Sequence, residues 1–370
     1  MNIVMIAGEV SGDLLGGKLA RELYNTGKIS NVSGIGGDAM RNANVRTLHD
    51  VSETSVVGLV EILKHYPRLR KILSNLKDHL RKSKPDLIIL IDYPEFNLKL
   101  AKYAKTLNIK VLFYVSPQVW AWRTGRIKKI KKCVDLMAVL FPFEVDFYKQ
   151  AEIPVVLVRH QVLSDIDKHY SPNSSLNETI TIGLAPGSRF NEINKLFPIM
   201  VETADLLRKN YSNLRFLSPV APGIEISSLS SLNQLNVPIE YSTDDFYQTI
   251  KSCDIVVISS GTATLQTALM GKAMVVIYKI SPITYRLLGH MVKIDHISLA
   301  NIILNRRAYT ELVQGNASAE RLYEATRELI DDKETHVKMA SYQNELYQKL
   351  NSGISTKELA EIALKLTQSN

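Results

Sequence analysis

Two glycine-bearing loops, each following a short apolar run, are the parts of this 370-residue chain best suited to chemistry. One is Ala7-Gly8-Glu9-Val10-Ser11-Gly12-Asp13, after Asn2–Ile6. The other is Ala185-Pro186-Gly187-Ser188-Arg189, after Thr179–Leu184. A strand that ends in small residues and opens a helix leaves backbone N–H groups at its carboxyl end, where anionic or hydroxyl-rich ligands bind. In the first loop Gly8 and Gly12 let a ligand approach the backbone closely. Glu9, Ser11 and Asp13 supply polar groups there, although Asp13 suits a helix N-cap equally well. The loop lacks the three-glycine dinucleotide spacing and the lysine of a nucleoside-triphosphate loop, which argues against a simple dehydrogenase or ATPase.

Three more segments carry reactive or ligand-binding groups. Ile91-Asp92-Tyr93-Pro94-Glu95-Phe96-Asn97 ends a buried run. A carboxylate at that edge can take a proton from a substrate hydroxyl, an effect worth ~10²–10⁴ in rate. Glu95 also fits the acidic preference of a helix start. Tyr114–Arg123 holds both tryptophans, Trp120 and Trp122, which suit the face of a sugar or an ordinary core. In the second half, Gly187-Ser188-Arg189 precedes a helix pattern, a combination that suits a diphosphate. The charge-assisted hydrogen bonds of Arg189, about 1.5–3 kcal/mol each, outweigh the ~0.3–1 kcal/mol of a helix dipole. Ser259-Ser260-Gly261-Thr262-Ala263-Thr264-Leu265-Gln266 forms a second anion-friendly joint of strand, loop and helix. Asp165-Ile166-Asp167 has the form of a metal-binding DxD, but chance explains it better, and no Cys/His pattern suggests a metal centre.

The formal net charge of +8 favours phosphate groups, an anionic bilayer or nucleic acid without choosing among them. Because the basic residues are scattered or lie beside a candidate lipid face, nucleic-acid binding is not expected. Cys133 and Cys253 are the only cysteines and read as buried, reduced thiols, which points to the cytoplasm. No apolar stretch reaches the roughly 18 residues that span a bilayer. The N-terminus runs straight into a strand pattern, which predicts no secretory signal.

To position these loops the chain must alternate strands and helices. Apolar runs at Asn2–Ala7, Asp86–Asp92, Lys110–Val115, Asp135–Leu140 and Pro154–Val158 predict parallel strands buried on both faces. Helical patterns at Leu14–Tyr24, Phe96–Leu107 and Arg123–Cys133 lie between them. The polar stretch Ser171-Pro172-Asn173-Ser174-Ser175 reads as a linker. The alternation then restarts, with strands near Thr179–Leu184, Leu214–Ser218, Asp254–Ser259 and Ala273–Tyr278 and helices near Ile193–Lys209 and Thr264–Met270. From Ala319 onward the pattern is helical. This is a doubly wound α/β pattern used twice, predicting two Rossmann-like domains that face a shared cleft.

In this order the segments resemble the lipid-A-disaccharide synthases, inverting glycosyltransferases of the GT-B architecture. The matching residues are the AGE-x-SGD loop over 7–13, Ile91–Asn97, Tyr114–Arg123, Phe141-Pro142-Phe143-Glu144, Pro186–Arg189 with Glu192, Ser260–Ala263 and Ser298-Leu299-Ala300-Asn301. The resemblance implies three regions: an acceptor-lipid and membrane-facing domain over 1–170, a UDP-sugar domain over 171–340, and a helical segment over 341–370 able to pack back on the first domain. It implies that an acylated UDP-glucosamine donates its sugar to the 6-hydroxyl of an acylated glucosamine 1-phosphate, with no metal or other cofactor. It places UDP on Ser188, Arg189, Ser260, Gly261, Thr262, Gln266 and Asn301. It puts Glu9, Ser11 and Asp13 near the reacting sugars, assigns Glu95 as general base, and gives Asp92 a shaping or supporting part. The chain departs from the family pattern at Glu95 (Asp in the family), Gln266 (Glu), Ala300 (Pro) and Val158-Arg159-His160-Gln161 (Gly-His-Pro). These departures motivate one alternative, a catalytically impaired nucleotide- or lipid-binding relative. A UDP-sugar epimerase on the same architecture is another.

Leu59, Ile62, Leu63, Tyr66, Leu69 and Leu73 follow helical spacing, with Pro67 starting a second segment and basic Lys64, His65, Arg68, Arg70 and Lys71 around them. By periodicity this is a helix packed on a sheet. With the resemblance, it becomes an interfacial helix that brings the protein to the inner face of the inner membrane. The sequence does not indicate an oligomeric state.

Overall fold

Runs of valine, isoleucine and leucine four to six residues long become parallel strands, because each can bury side chains on both faces of a sheet. The computed structural model of the protein describes residues 1–54, 59–117, 124–169, 176–280 and 295–368, with 59–65 described by backbone alone. The chain forms two units, one of Met1–His160 with Ser352–Asn370 and one of Gln161–Asn351.

The first unit contains β1 (Asn2–Ala7), α1 (Val10–Asn25), β2 (Asn31–Gly36), α2 (Asp38–Arg41), β3 (Arg46–Asp50), α3 (Leu59–Ser83), β4 (Leu87–Ile91), α4 (Pro94–Thr106), β5 (Lys110–Tyr114), α5 (Ile127–Cys133), β6 (Leu136–Val139), α6 (Pro142–Gln150), β7 (Val155–Leu157) and the last helix, α15 (Thr356–Gln368). Its parallel sheet has the order β3-β2-β1-β4-β5-β6-β7. Alternate residues of β4 face opposite layers. Leu87, Ile89 and Ile91 pack with Leu15 and Leu19 of α1 and Leu359, Ala363 and Leu364 of α15. Ile88 and Leu90 pack with Ile72, Leu76 and Leu80 of α3 and Leu100 and Ala104 of α4. Each fully buried aliphatic side chain contributes about 1.5–3 kcal/mol.

The second unit contains α7 (Val162–His169), β8 (Ile180–Ala185), α8 (Phe190–Asn210), β9 (Leu214–Pro219), α9 (Ile226–Ser230), β10 (Ile239–Ser242), α10 (Phe246–Lys251), β11 (Ile255–Ser259), α11 (Thr262–Leu269), β12 (Ala273–Tyr278), α12 (Leu299–Leu304), β13 (Thr310–Val313), α13 (Ala319–Asp331) and α14 (Lys333–Asn351). Its sheet is parallel, with the order β10-β9-β8-β11-β12-β13.

An aspartate recurs where strands begin. Asp86 accepts the N–H of Asn2 at 2.8 Å, Asp135 that of Val111 at 2.8 Å, and Asp254 that of Thr181 at 2.8 Å. Each carboxylate thus satisfies a backbone donor in the first two residues of a neighbouring strand.

The boundaries differ from the sequence reading at several places. The chain passes between units at His160/Gln161, and α14 belongs to the second unit, so only Ser352 onward returns to the first. The return is fixed by Ile354, which bridges to Val158 and accepts the N–H of Arg159 at 2.8 Å. Pro67 does not begin a new segment: α3 runs through it as one helix. The proposed linker over 171–175 lies outside the described residues. Among the described residues, no helix is long and apolar enough to cross a membrane.

Candidate active site

In each sheet the strand order reverses direction at one point, between β1 and β4 in the first unit and between β8 and β11 in the second. In doubly wound sheets, ligands bind outside the carboxyl ends of strands at that reversal. Gly8 and Glu9 follow β1, and Asp92 and Tyr93 follow β4. Pro186–Arg189 follow β8, and Ser260–Thr262 follow β11. The helices that leave these points, α1, α4, α8 and α11, have no side-chain hydrogen bond at their N-caps Glu9, Tyr93, Arg189 and Gly261. By contrast α10, α12 and α13 are capped by Asp245, Ser298 and Ser318. Uncapped starts leave backbone donors for a ligand.

At the first-unit reversal the backbone is strained. Asp92 and Tyr93 both have φ of 49°, and Val115, at the end of adjacent β5, has φ of 69°. Left-handed conformations at non-glycine residues cost of order 1–3 kcal/mol each and gather at functional sites. Tyr93 lies directly against Gly8, where a Cβ would overlap its ring. Its hydroxyl donates to the Thr54 carbonyl at 3.2 Å, and the Thr54 hydroxyl donates to the Gly8 carbonyl at 3.2 Å. Asp92 is partly buried between these elements. Burial pushes its carboxyl up to about 6, and the charge of Glu9 adds to the shift. A carboxyl poised near neutral pH can accept a proton and still be ionised when the reaction begins. Glu9 and Ser11 are exposed beside it, flanked by exposed Val10 and Leu14.

Two first-unit residues take other parts than expected. Asp13 is buried, and its carboxylate accepts the N–H groups of Gly37 at 2.7 Å, Ala39 at 2.9 Å and Met40 at 3.0 Å. It caps the start of α2, while the N-cap of its own helix is Glu9. Glu95 lies 66% exposed in the first turn of α4 and is paired with Arg126. The Glu95 carboxylate is thus engaged by a guanidinium at the surface, whereas that of Asp92 is partly buried at the strand reversal. Trp120 and Trp122 lie outside the described residues. His160 is buried beside Phe141, and burial lowers it to about 4, so it stays neutral.

In the second unit Gly187 has φ of 107°, and a Cβ there would lie 2.7 Å from Glu192 Oε2 and 2.9 Å from Ser259 Oγ. Glycine thus lets β8 turn tightly into α8. Ser188 and Arg189 are exposed, and the Arg189 guanidinium donates to Glu192 at 2.8 Å, which orients it at the start of α8. Gly261 and Thr262 are exposed at the start of α11, while the Ser260 hydroxyl donates to the Ile297 carbonyl at 2.8 Å. Gln266 donates its amide N–H to the Tyr247 hydroxyl at 2.8 Å. Burial raises Tyr247 to about 12, so the phenol is neutral. Tyr247 was invisible in the sequence because no motif marks it. Asp165 and Asp167 both fall on α7, and the Asp167 side chain lies outside the described residues.

Asn301 is the clearest correction. Fully buried, it accepts the N–H groups of Ala308 and Tyr309, each at 2.9 Å, and donates to the Tyr309 carbonyl and Glu311, each at 2.8 Å. With its acceptor and donors spent inside the protein, it pins the 305–309 turn and has nothing left for a nucleotide. We expect Asn301→Ala to destabilise the fold by about 3 kcal/mol, the cost of stranding two buried donors. The nucleotide affinity of the folded fraction should be unchanged. Chemical denaturation and UDP calorimetry on one preparation check both.

Comparison with known proteins agrees with this architecture. The family model described as lipid-A-disaccharide synthetase matches residues 3–365. A lipid-A-disaccharide synthase of Geobacter metallireducens is 40% identical over 98% of this chain and 97% of its own. One from Coxiella burnetii is 36% identical over 99% and 98%. Among solved structures, the UDP-GlcNAc 2-epimerase of Neisseria meningitidis bound to UDP-GlcNAc superposes with a TM-score of 0.65 at 14% identity, covering 99% of this chain and 100% of that one. MurG of Acinetobacter baumannii gives 0.60 at 14% identity, covering 98% and 99%. These two likenesses concern the fold, which is that of GT-B glycosyltransferases: two parallel sheets with interleaved helices and a helical C-terminus. Extending across nearly every residue, the sequence likeness places this chain in the lipid-A-disaccharide synthase family.

Proposed function

We propose that the protein transfers 2,3-diacylglucosamine from its UDP ester to the 6-hydroxyl of 2,3-diacylglucosamine 1-phosphate, with inversion, giving the β-1′,6-linked disaccharide 1-phosphate and UDP. The coarse substrate classes, a sugar nucleotide and a lipid-linked acceptor, follow from the family. The observation that carries the reading is the Asp92 carboxyl, raised to about 6 in a strained turn at the first unit's strand reversal. Asp92 takes the 6-hydroxyl proton as that oxygen attacks the anomeric carbon. The bond from that carbon to the diphosphate oxygen breaks, and the electrons leave with UDP. Arg189 and the uncapped starts of α8 and α11 stabilise the charge that develops on the diphosphate. Exposed Val10 and Leu14, one turn apart on α1, suit an acyl chain of the acceptor.

The test is condensation by the purified full chain supplied with both acyl sugars, read as UDP release and product mass. Disaccharide should form, and Glu95→Ala should retain activity within about tenfold, since its carboxylate is paired and not a base. Absence of UDP release, with an authentic synthase active in parallel, contradicts the proposal. Conversion of UDP-N-acetylglucosamine to its epimer would favour the epimerase reading instead.

We also propose that the first unit sits on the cytoplasmic face of an anionic bilayer, reached through α3. Helices α3, α4 and α5 carry fourteen lysines and arginines against three acidic residues, whereas α1 and α15, on the opposite sheet face, carry four of each. In α3, Tyr66, Arg68, Arg70 and Lys71 are exposed, while Ile72 and Leu76 belong to the core, so the stretch we assign to the lipid includes Tyr66–Lys71; the side chains of Leu59, Ile62, Leu63, Lys64 and His65 lie outside the described residues. A lysine near an anionic surface contributes about 1 kcal/mol. Replacing exposed Lys128, Lys129 and Lys132 with Ala should lower affinity for phosphatidylglycerol-containing vesicles roughly a hundredfold at low salt. Vesicle sedimentation checks this, and binding indifferent to both salt and substitution contradicts it.

A further inference from the structure

The strained turn at Asp92 needs something to hold it, and one side chain stands behind it. Asn97, fully buried in α4, donates its amide N–H groups to the Asp92 carbonyl at 2.7 Å and to the Ile91 carbonyl at 3.2 Å. Its backbone N–H donates to the Tyr93 carbonyl at 3.0 Å. One residue thus holds three consecutive carbonyls, those on either side of and within the pair whose φ angles are both 49°. The amide oxygen of Asn97 is buried with no hydrogen-bond partner among the described residues. A buried acceptor left empty costs free energy and calls for an explanation. Only the donor end of this amide is in use, and both its targets are carbonyls of the turn.

We propose that Asn97 is a positioning residue: its amide clamps the carbonyls of Ile91 and Asp92 and so maintains the left-handed turn that presents the Asp92 carboxyl at the strand reversal. The inference deepens the reading of Asp92 as general base and rests on it for its catalytic consequence. Loosening the clamp lets residues 92 and 93 relax toward ordinary backbone angles. The carboxyl then moves from its partly buried place, and a displacement of about an ångström costs on the order of a hundredfold in rate. Binding of the nucleotide donor at the second unit's reversal is untouched.

The test compares Asn97→Ala, Asn97→Ser and Asn97→Asp, the last keeping the shape but losing the donors. Expected for Ala and Asp is a kcat lowered 10- to 100-fold, with the KM for the UDP-sugar within about twofold of the unmodified protein. The acid limb of the rate profile should move, downward in Ala as water reaches Asp92 and upward in Asp as a second carboxyl joins it. Ser, which keeps one donor, should fall between. A crystal structure of any folded variant supplies the second readout: a negative φ at Asp92 supports the clamp, and a retained left-handed turn in Ala or Asp overturns it. Unmoved kcat and acid limb in folded Ala and Asp overturn it as well. Failure of the base assignment is distinguishable, because Asp92→Asn would then remain active while the φ of Asp92 in the Asn97 variants still reports on the clamp.

Discussion

Replacing Asp92 with Asn should remove most turnover while making the fold more stable. The catalytic half follows from proton transfer: an amide cannot accept the acceptor's hydroxyl proton, and general-base catalysis supplies ~10²–10⁴ in rate. The stability half follows from the direction of the pKa shift. Burial, with the charge of Glu9 behind it, raises Asp92 from its ordinary value of 3.8 to about 6. Between those values the folded protein holds a proton that the unfolded chain has already lost, so the contribution of Asp92 to stability falls as pH rises through this window. Above about 6 the full penalty is present. A two-unit shift corresponds to ~3 kcal/mol, and partial solvation of the carboxyl reduces this to about 1–2 kcal/mol. Asn removes the charge and tolerates the left-handed φ of 49° better than most residues. Thermal melts at pH 7 and at pH 4 check the account: the variant should gain at pH 7 and be nearly neutral at pH 4. A variant that loses stability at pH 7 contradicts the burial argument even if it is inactive.

Arg189→Ala should weaken UDP binding about 10- to 100-fold, since one charge-assisted hydrogen bond contributes about 1.5–3 kcal/mol. Arg189 stands 68% exposed at the start of α8, held by Glu192 and with no other cation among residues 186–192. The other groups of the proposed donor site are backbone donors and hydroxyls, whose individual contributions are smaller. Arg189→Lys should recover only part of the affinity, because an ammonium keeps the charge but loses the two-pronged fork. Calorimetry with UDP measures this without relying on turnover. Wild-type affinity in Arg189→Ala would move the donor site elsewhere.

The sequence reading found the central strands and both loops, because buried strands such as β4 and β11 are uninterrupted apolar runs. It missed β2, β3, β10 and β13. β3 (Arg-Thr-Leu-His-Asp) and β10 (Ile-Glu-Tyr-Ser) are edge strands, half exposed and therefore polar. β2 contains two glycines, one of which, Gly34, is required by its contact with the Met5 backbone. For the site, motif position singles out loops at the strand reversals but does not separate the two candidate carboxylates. Asp92 and Glu95 are three residues apart and of the same type. What separates them is burial beside Tyr93 and Glu9 for one and a guanidinium from Arg126 for the other, both products of the tertiary fold. Asp13 and Asn301 illustrate the same limit. Each sits in a motif that the resemblance assigns to ligand binding, yet Asp13 spends its carboxylate on the backbone of α2 and Asn301 its amide on Ala308, Tyr309 and the Glu311 carboxylate.

The most direct measurement of the central claim is the pH dependence of kcat/KM for the condensation by the unmodified protein. If Asp92 is the proton acceptor, the rate falls tenfold per pH unit on the acid side, with an apparent pKa near 6. A profile that stays level down to the ordinary carboxylate range, near 4, would show that the proton goes elsewhere.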